Sequence, residues 1–194
     1  MLPLHFFLQG LIHLALARST KRRRHLLKSR RFTKQIQTWV KKGNPNCHHM
    51  LLLLQAETLS LSSKNNVARI RKGYDDAVAS AARSGFLHHQ ALANERAALF
   101  FVAQEDYNWA TAYFQKSRAL YMEYGAKAKA SHLDELCEKL DLDLGADSST
   151  RGSSLFARSR LGKLDDILAR NKRSQCMEEL MTSHSSFASS HPTS

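Results

Sequence analysis

The sequence predicts an all-α protein: a right-handed stack of antiparallel helix hairpins over residues 3–142, followed by a Ser-rich, largely disordered tail over 143–194. Three observations predict it. Apolar residues recur at helical spacing through most of the chain, with capping residues before the segments and glycines after them. Across residues 85–129 small side chains alternate with large aromatics, which lets two helices approach closely and interdigitate. Runs alternating every second residue are missing, and three Pro and eight Gly are few for an all-β chain.

Pro3 suits the first turn of a helix running to about residue 18. Ser19 and Thr20 mark a break and a cap for a long basic helix over 21–42, whose apolar stripe is Leu26, Leu27, Phe32, Ile36, Trp39 and Val40. The run Gly43, Asn44, Pro45, Asn46 ends it. Residues 47–62 form the next helix, apolar all round from Met50 to Leu54, as expected of a helix buried on several sides. A turn over 63–66 supplies Asn65 or Asn66 as the cap of a helix over 67–84. That helix carries Ile70, Tyr74, Ala77 and Ala81 on one face, and Gly85 closes it.

The segment 85–129 reads as two antiparallel helices. Ala91, Ala98 and Phe101 form the inner face of the first. After the break at Gln104, Glu105 and Asp106, the second uses Ala110, Tyr113, Phe114, Ser117, Leu120, Tyr121 and Tyr124. Asp106 is placed to cap it and Gly125 to end it. A last helix over 126–142 presents Ala130, Leu133, Leu136, Cys137 and Leu140. Beyond it, 146–154 and 182–194 are too rich in Ser and too poor in apolar residues to offset their ordering entropy. Residues 161–181 have the pattern of an amphipathic helix through Leu164, Ile167, Leu168, Met177 and Leu180, with nothing evident in the sequence to hold it down.

Tyr74 with Ala77 corresponds to Phe114 with Ser117, a period of about 40 residues against about 34 in the tetratricopeptide consensus. In that register Ala98, Phe101, Ala110 and Phe114 fit, whereas Asn94 stands where the motif takes Trp and Ser117 where it takes Ala. The hairpins are degenerate tetratricopeptide-like repeats.

Three stretches carry a wider likeness: 51–61 (LLLLQAETLSL), 73–101 (GYDDAVASAARSGFLHHQALANERAALFF) and 113–129 (YFQKSRALYMEYGAKAK). In them the chain resembles the tetratricopeptide-like helical segment of large multidomain signalling proteins. There a protein-kinase-like domain and an AAA-type ATPase precede the helices, and GAF and sensor histidine kinase domains follow. Ala56-Glu57, Tyr74-Asp75-Asp76-Ala77, Gly85-Phe86, Ala91-Leu92-Ala93-Asn94-Glu95 and Gly125-Ala126-Lys127-Ala128-Lys129 match that pattern. Glu123 and Tyr124 depart from it, since the family favours Trp before the glycine. The likeness covers about residues 6–140 and is strongest over 51–129. It implies helix packing rather than activity, because the chain has no phosphate loop, no Gly-rich kinase loop and no kinase catalytic motif.

Charge is distributed unevenly. The first 56 residues contain 11 Lys and Arg and no Asp or Glu, leaving 18 bases and 17 acids in the rest of a chain whose net charge is +12. Lys21, Arg22, Arg23, Arg24, Lys28, Arg30 and Arg31 are candidate contacts for a polyanion, either nucleic acid or an anionic membrane. A solvated helix face is the plainer reading. The run at 21–24 also has the form of a nuclear import signal, of weak specificity.

Cys47, Cys137 and Cys176 are odd in number and widely separated, so neither a disulfide nor a zinc framework is expected, and a reducing, cytoplasmic compartment is the default. Residues 2–17 are apolar, but shorter than the roughly 20 needed to span a bilayer and interrupted by His5, Gln9 and His13. Positive charge follows this run instead of preceding it, unlike a secretory signal. A mitochondrial presequence fits the basic, acid-free composition but not the continuous apolar run.

Adjacent helical residues diverge by about 100°, so His88 and His89 are a poor ligand pair, as are His48 and His49. The stretch 141–152 departs from a calcium loop in its glycine and its last position, and His132 lacks the setting of a phosphoacceptor. Glu57 and Glu95, inside apolar helices, read as carboxylates bonded to neighbouring Tyr, Arg or backbone groups. The sequence thus predicts no catalytic residue, cofactor, metal or small-molecule substrate. It predicts a non-enzymatic module that binds a protein partner or itself, with Phe6, Phe7 and Leu11 as the association surface at an uncovered end of the stack. A basic helical protein that binds nucleic acid or anionic membrane through 21–42 is the alternative.

Overall fold

Residues 3–17 include no charged side chain, and Pro3 begins a helix that continues past the expected stop to Thr20 (α1, Pro3–Thr20). The computed structural model describes residues 3–62, 66–142 and 144. The tail over 143–194, its amphipathic pattern at 161–181 and Cys176 therefore lie outside the described residues, Leu144 excepted.

Among the described residues there are seven α-helices and no strand. After α1 come α2 (Arg23–Lys41), a short 3-10 turn (Pro45–Cys47), α3 (His48–Ser60), α4 (Val67–Arg83), α5 (Leu87–Ala103), α6 (Tyr107–Glu123) and α7 (Lys127–Lys139). Ser19 and Thr20 do not cap α2. Both bond back to Leu16 O, Thr20 at 2.6 Å, so they finish α1 instead, and Arg22 precedes α2 without a side-chain cap. Asn66 does cap α4, accepting from Ala68 N at 2.7 Å, and Asp106 caps α6, accepting from Trp109 N at 3.3 Å.

Helix ends repeat one device. Gly43, Gly85, Glu105, Gly125 and Asp141 have φ between 55° and 87°. The next residue in each case (Asn44, Phe86, Asp106, Ala126, Leu142) returns its N–H five residues back, at 2.8–3.1 Å. This is the Schellman closure, which satisfies otherwise orphaned carbonyls as the chain reverses.

The helices pack as hairpins: α1 on α2, α3 on α4, α5 on α6, with α7 against α6. Successive hairpins meet through α1–α3, α2–α3, α3–α5 and α4–α5, so α1, α3 and α5 form a continuous row. Close approach is built in. A Cβ on Gly10 of α1 would stand 2.8 Å from Leu54 Cδ2 of α3, and Ala91, Ala98, Ala110 and Ser117 are fully buried where α5 meets α6. Ser117 suits its slot because its hydroxyl donates to Ala91 O across the pair at 2.9 Å. Phe101 and Phe114 lie in the same core, with Tyr74, Leu54, Leu133 and Leu140.

Candidate functional site

The first hairpin holds the surface with the most unspent chemistry. On α2, Ser29 and Ile36 are fully buried, and side chains two residues to either side point about 160° away from them. That outward arc carries Arg23, Arg24, Lys28, Arg30, Arg31, Lys34 and Lys41; with Lys21, Arg22 and Lys42 at its ends, all ten cations are exposed. None of them makes an ion pair among the described residues. Their field reaches the seam with α1, where the His13 and His25 rings stack at 5.7 Å. Partial burial, with Lys28 for His13 and Arg24 first among the cations for His25, lowers both imidazoles' pKa values.

The expected association surface needs correction. Phe7 is only 1% exposed and packs edge-on against His89 of α5. Phe6 meets Phe32 and Trp39 of α2 edge-on, and Leu11 packs against the core. The side chains left outside are Leu4, Leu8 and Ile12, at 45%, 45% and 51% exposure. Leu8 and Ile12 flank Gly10, the residue that touches α3, so both point away from the stack. Leu27, expected in the apolar stripe of α2, is instead 47% exposed among the cations.

Inside the stack the ionisable groups are consumed by one another. Glu57 is fully buried and accepts from Arg96 (2.8 and 3.0 Å), Arg18 (3.1 Å) and the Tyr74 hydroxyl (2.9 Å), linking α1, α3, α4 and α5. Burial alone would raise its pKa; the charges of Arg96 and Arg18 and the hydrogen bonds outweigh it and hold the carboxyl at about 2. Glu95 repeats the theme, accepting from Tyr121 at 2.9 Å and Lys129 at 2.8 Å.

His49 and His89 are brought together, Nε2 to Nδ1 at 2.7 Å, in a pocket with Phe7 and Phe86. Burial first, then the neighbouring histidines, depress them to about 4 and about 3. At neutral pH both rings are uncharged, each with one N–H, and one of them donates to the other. His48 turns away to Ser80 at 3.0 Å, and no group of three metal-ligating side chains occurs among the described residues. An open cleft of about 340 Å³ lies beside His48, lined by Val40, Pro45, Ser80, Arg83 and Ser84. Cys47 and Cys137 are buried free thiols, the latter pushed up to about 12 by burial and Asp134.

The expected bonding of Glu57 to Tyr and Arg is found, but its partners Tyr74, Arg18 and Arg96 were not named from sequence. Arg18, Glu57 and Arg96 are spaced 39 residues apart, and this recurrence was the available signal. The His49–His89 contact, 40 residues apart, follows the same period. Among the described residues no helix is long and apolar enough to cross a membrane. Comparison with known proteins found no matching family model, no similar curated protein and no similar solved structure.

Proposed function

We propose that this chain is a non-enzymatic helical-repeat module that binds a protein partner, using the exposed face of the α1–α2 hairpin. Its hairpins stack in the tetratricopeptide-like manner, as in the helical segment of multidomain signalling proteins that the sequence resembles. One observation carries the reading: ten exposed cations without an ion pair among the described residues and an exposed apolar row (Leu4, Leu8, Ile12) lie on the same hairpin. Exposed apolar rows bordered by charge mark association sites. Affinity purification at low and high salt, with the wild type and a Leu8→Ser/Ile12→Ser variant, tests it. A defined protein retained at both salts and lost in the variant is expected. Retention that collapses with salt and ignores the variant would overturn it.

The ten exposed cations favour a second reading, an extended polyanion such as nucleic acid or an anionic membrane. Binding would then fall steeply with ionic strength and persist after loss of the apolar row.

A further inference from the structure

Adjacent helices of the inner row carry charges of alternating sign at one level of the stack. Arg18 on α1, Glu57 on α3 and Arg96 on α5 follow at 39-residue steps, and Glu57 is gripped from both sides. Arg18 spends only Nη2 inward, on Glu57 and Ser60, and its side chain is 34% exposed. Its Nε and Nη1 protons make no bond among the described residues. An Arg guanidinium has five donors in a planar fork suited to carboxylates. The next helix in this alternation would therefore bring an acid.

The rest of the face agrees. On the α1 wheel, Leu4, Leu8 and Ile12 run between Arg18 on one side and the seam with α2 on the other. Beyond that seam stand Arg24 and Arg31, exposed and without ion pairs among the described residues. The face is thus an apolar row with cations on both flanks, the complement of a helix whose apolar stripe is edged by carboxylates.

We propose that this face seats an acidic amphipathic helix of a partner protein, its apolar stripe on Leu4, Leu8 and Ile12 and its carboxylates against Arg18, Arg24 and Arg31. The proposal rests on the reading above that the face binds protein, and adds the partner's chemistry. A second copy of the chain fits worse, because a two-fold contact would oppose two acid-free hairpins. Nucleic acid leaves the apolar row unused. An anionic bilayer takes up cations and leucines alike but makes no use of a single fixed donor such as Arg18.

The test uses the full chain and fluorescence anisotropy with synthetic helical peptides of about 18 residues, five turns. One carries leucines at i, i+4 and i+8 flanked by Glu; a second has Gln for every Glu; a third is a scramble of the first. Phosphatidylserine-containing vesicles and a DNA duplex complete the set. The Glu peptide is expected to bind at least about tenfold more tightly than the Gln peptide and the scramble. Leu8→Ser/Ile12→Ser and Arg24→Ala/Arg31→Ala should each weaken it about tenfold without altering the melting temperature. Equal binding of Glu and Gln peptides, still lost on removing Leu8 and Ile12, overturns the acidic partner while leaving a protein-binding face in place. Binding of vesicles or duplex with no peptide binding overturns both. Failure of every probe overturns the acidic helix.

Discussion

Arg96 closes both arms of its guanidinium fork on Glu57, Nε 2.8 Å from Oε1 and Nη2 3.0 Å from Oε2, across the contact between α3 and α5. A bidentate pair of this kind fixes orientation as well as charge. Because Glu57 is fully buried, removing Arg96 leaves a carboxylate with too few donors. Arg96→Ala is expected to cost about 3 kcal/mol, the lower end for a broken buried pair, because Arg96 keeps some exposure. Replacing both residues with leucine should cost less than the sum of the single changes. Urea denaturation in a double-mutant cycle measures the difference, and additive losses would show that the pair does not act as a unit.

Acid should unfold the protein in two overlapping stages. His49 and His89 have folded pKa values of about 4 and about 3 against 6.5 for a free imidazole. Below pH 6.5 the unfolded chain binds protons that the folded chain refuses, so stability is complete above 6.5 and declines as pH falls. Each ring contributes at most about 1.4 kcal/mol per pH unit. Glu57, at about 2 folded against 4.5, adds stability present above 4.5 and lost as pH falls through 2. Chemical denaturation from pH 7.5 to 4 should show the first decline, and His89→Phe should flatten it. A stability curve flat from 7 to 5 would contradict the buried neutral pair.

Tight helix contacts should resist added volume. Ala98 is completely buried within α5, and Ala98→Trp is expected to cost on the order of 3 kcal/mol or more, since overpacking forces backbone shifts. Gly10→Val tests the α1–α3 approach, where even a Cβ meets Leu54 at 2.8 Å. Thermal melts check both, and an unchanged midpoint for either would mean that the contact yields without strain.

Helices α4 to α7 were legible because their faces differ: Tyr74, Ala77 and Ala81 are buried while Asp75, Asp76 and Ala82 are exposed, and caps and glycines set their limits. Helix α1 was legible as a helix but not in its rotation. Nearly all of residues 6–17 are apolar, so periodicity could not separate Phe7, which faces inward, from Leu8, which faces outward. Leu27 was misplaced for a related reason, since an apolar residue beside a stripe is usually counted into it. The buried Glu57 cluster joins helices far apart in sequence, and no local pattern encodes such a meeting. The place of Glu57 inside an apolar helix pointed to Tyr and Arg partners, and only the 39-residue recurrence of Arg18, Glu57 and Arg96 pointed to which arginines.

That rotation yields the sharpest contrast in the molecule, between neighbours in sequence. Phe7→Ser empties a core site and buries a hydroxyl among Phe and His rings, so a loss of about 3 kcal/mol or more is expected. Leu8→Ser changes a side chain nearly half exposed and should move stability by no more than about 0.5 kcal/mol. Association should respond in reverse. Leu8→Ser with Ile12→Ser removes the exposed row and should reduce any self-association seen by sedimentation at high salt, where repulsion between the α2 cations is screened. Phe7→Ser, by loosening the stack, should expose further apolar surface and increase association. If Leu8→Ser unfolds the chain and Phe7→Ser does not, α1 is rotated from the position described, and the proposed face lies elsewhere.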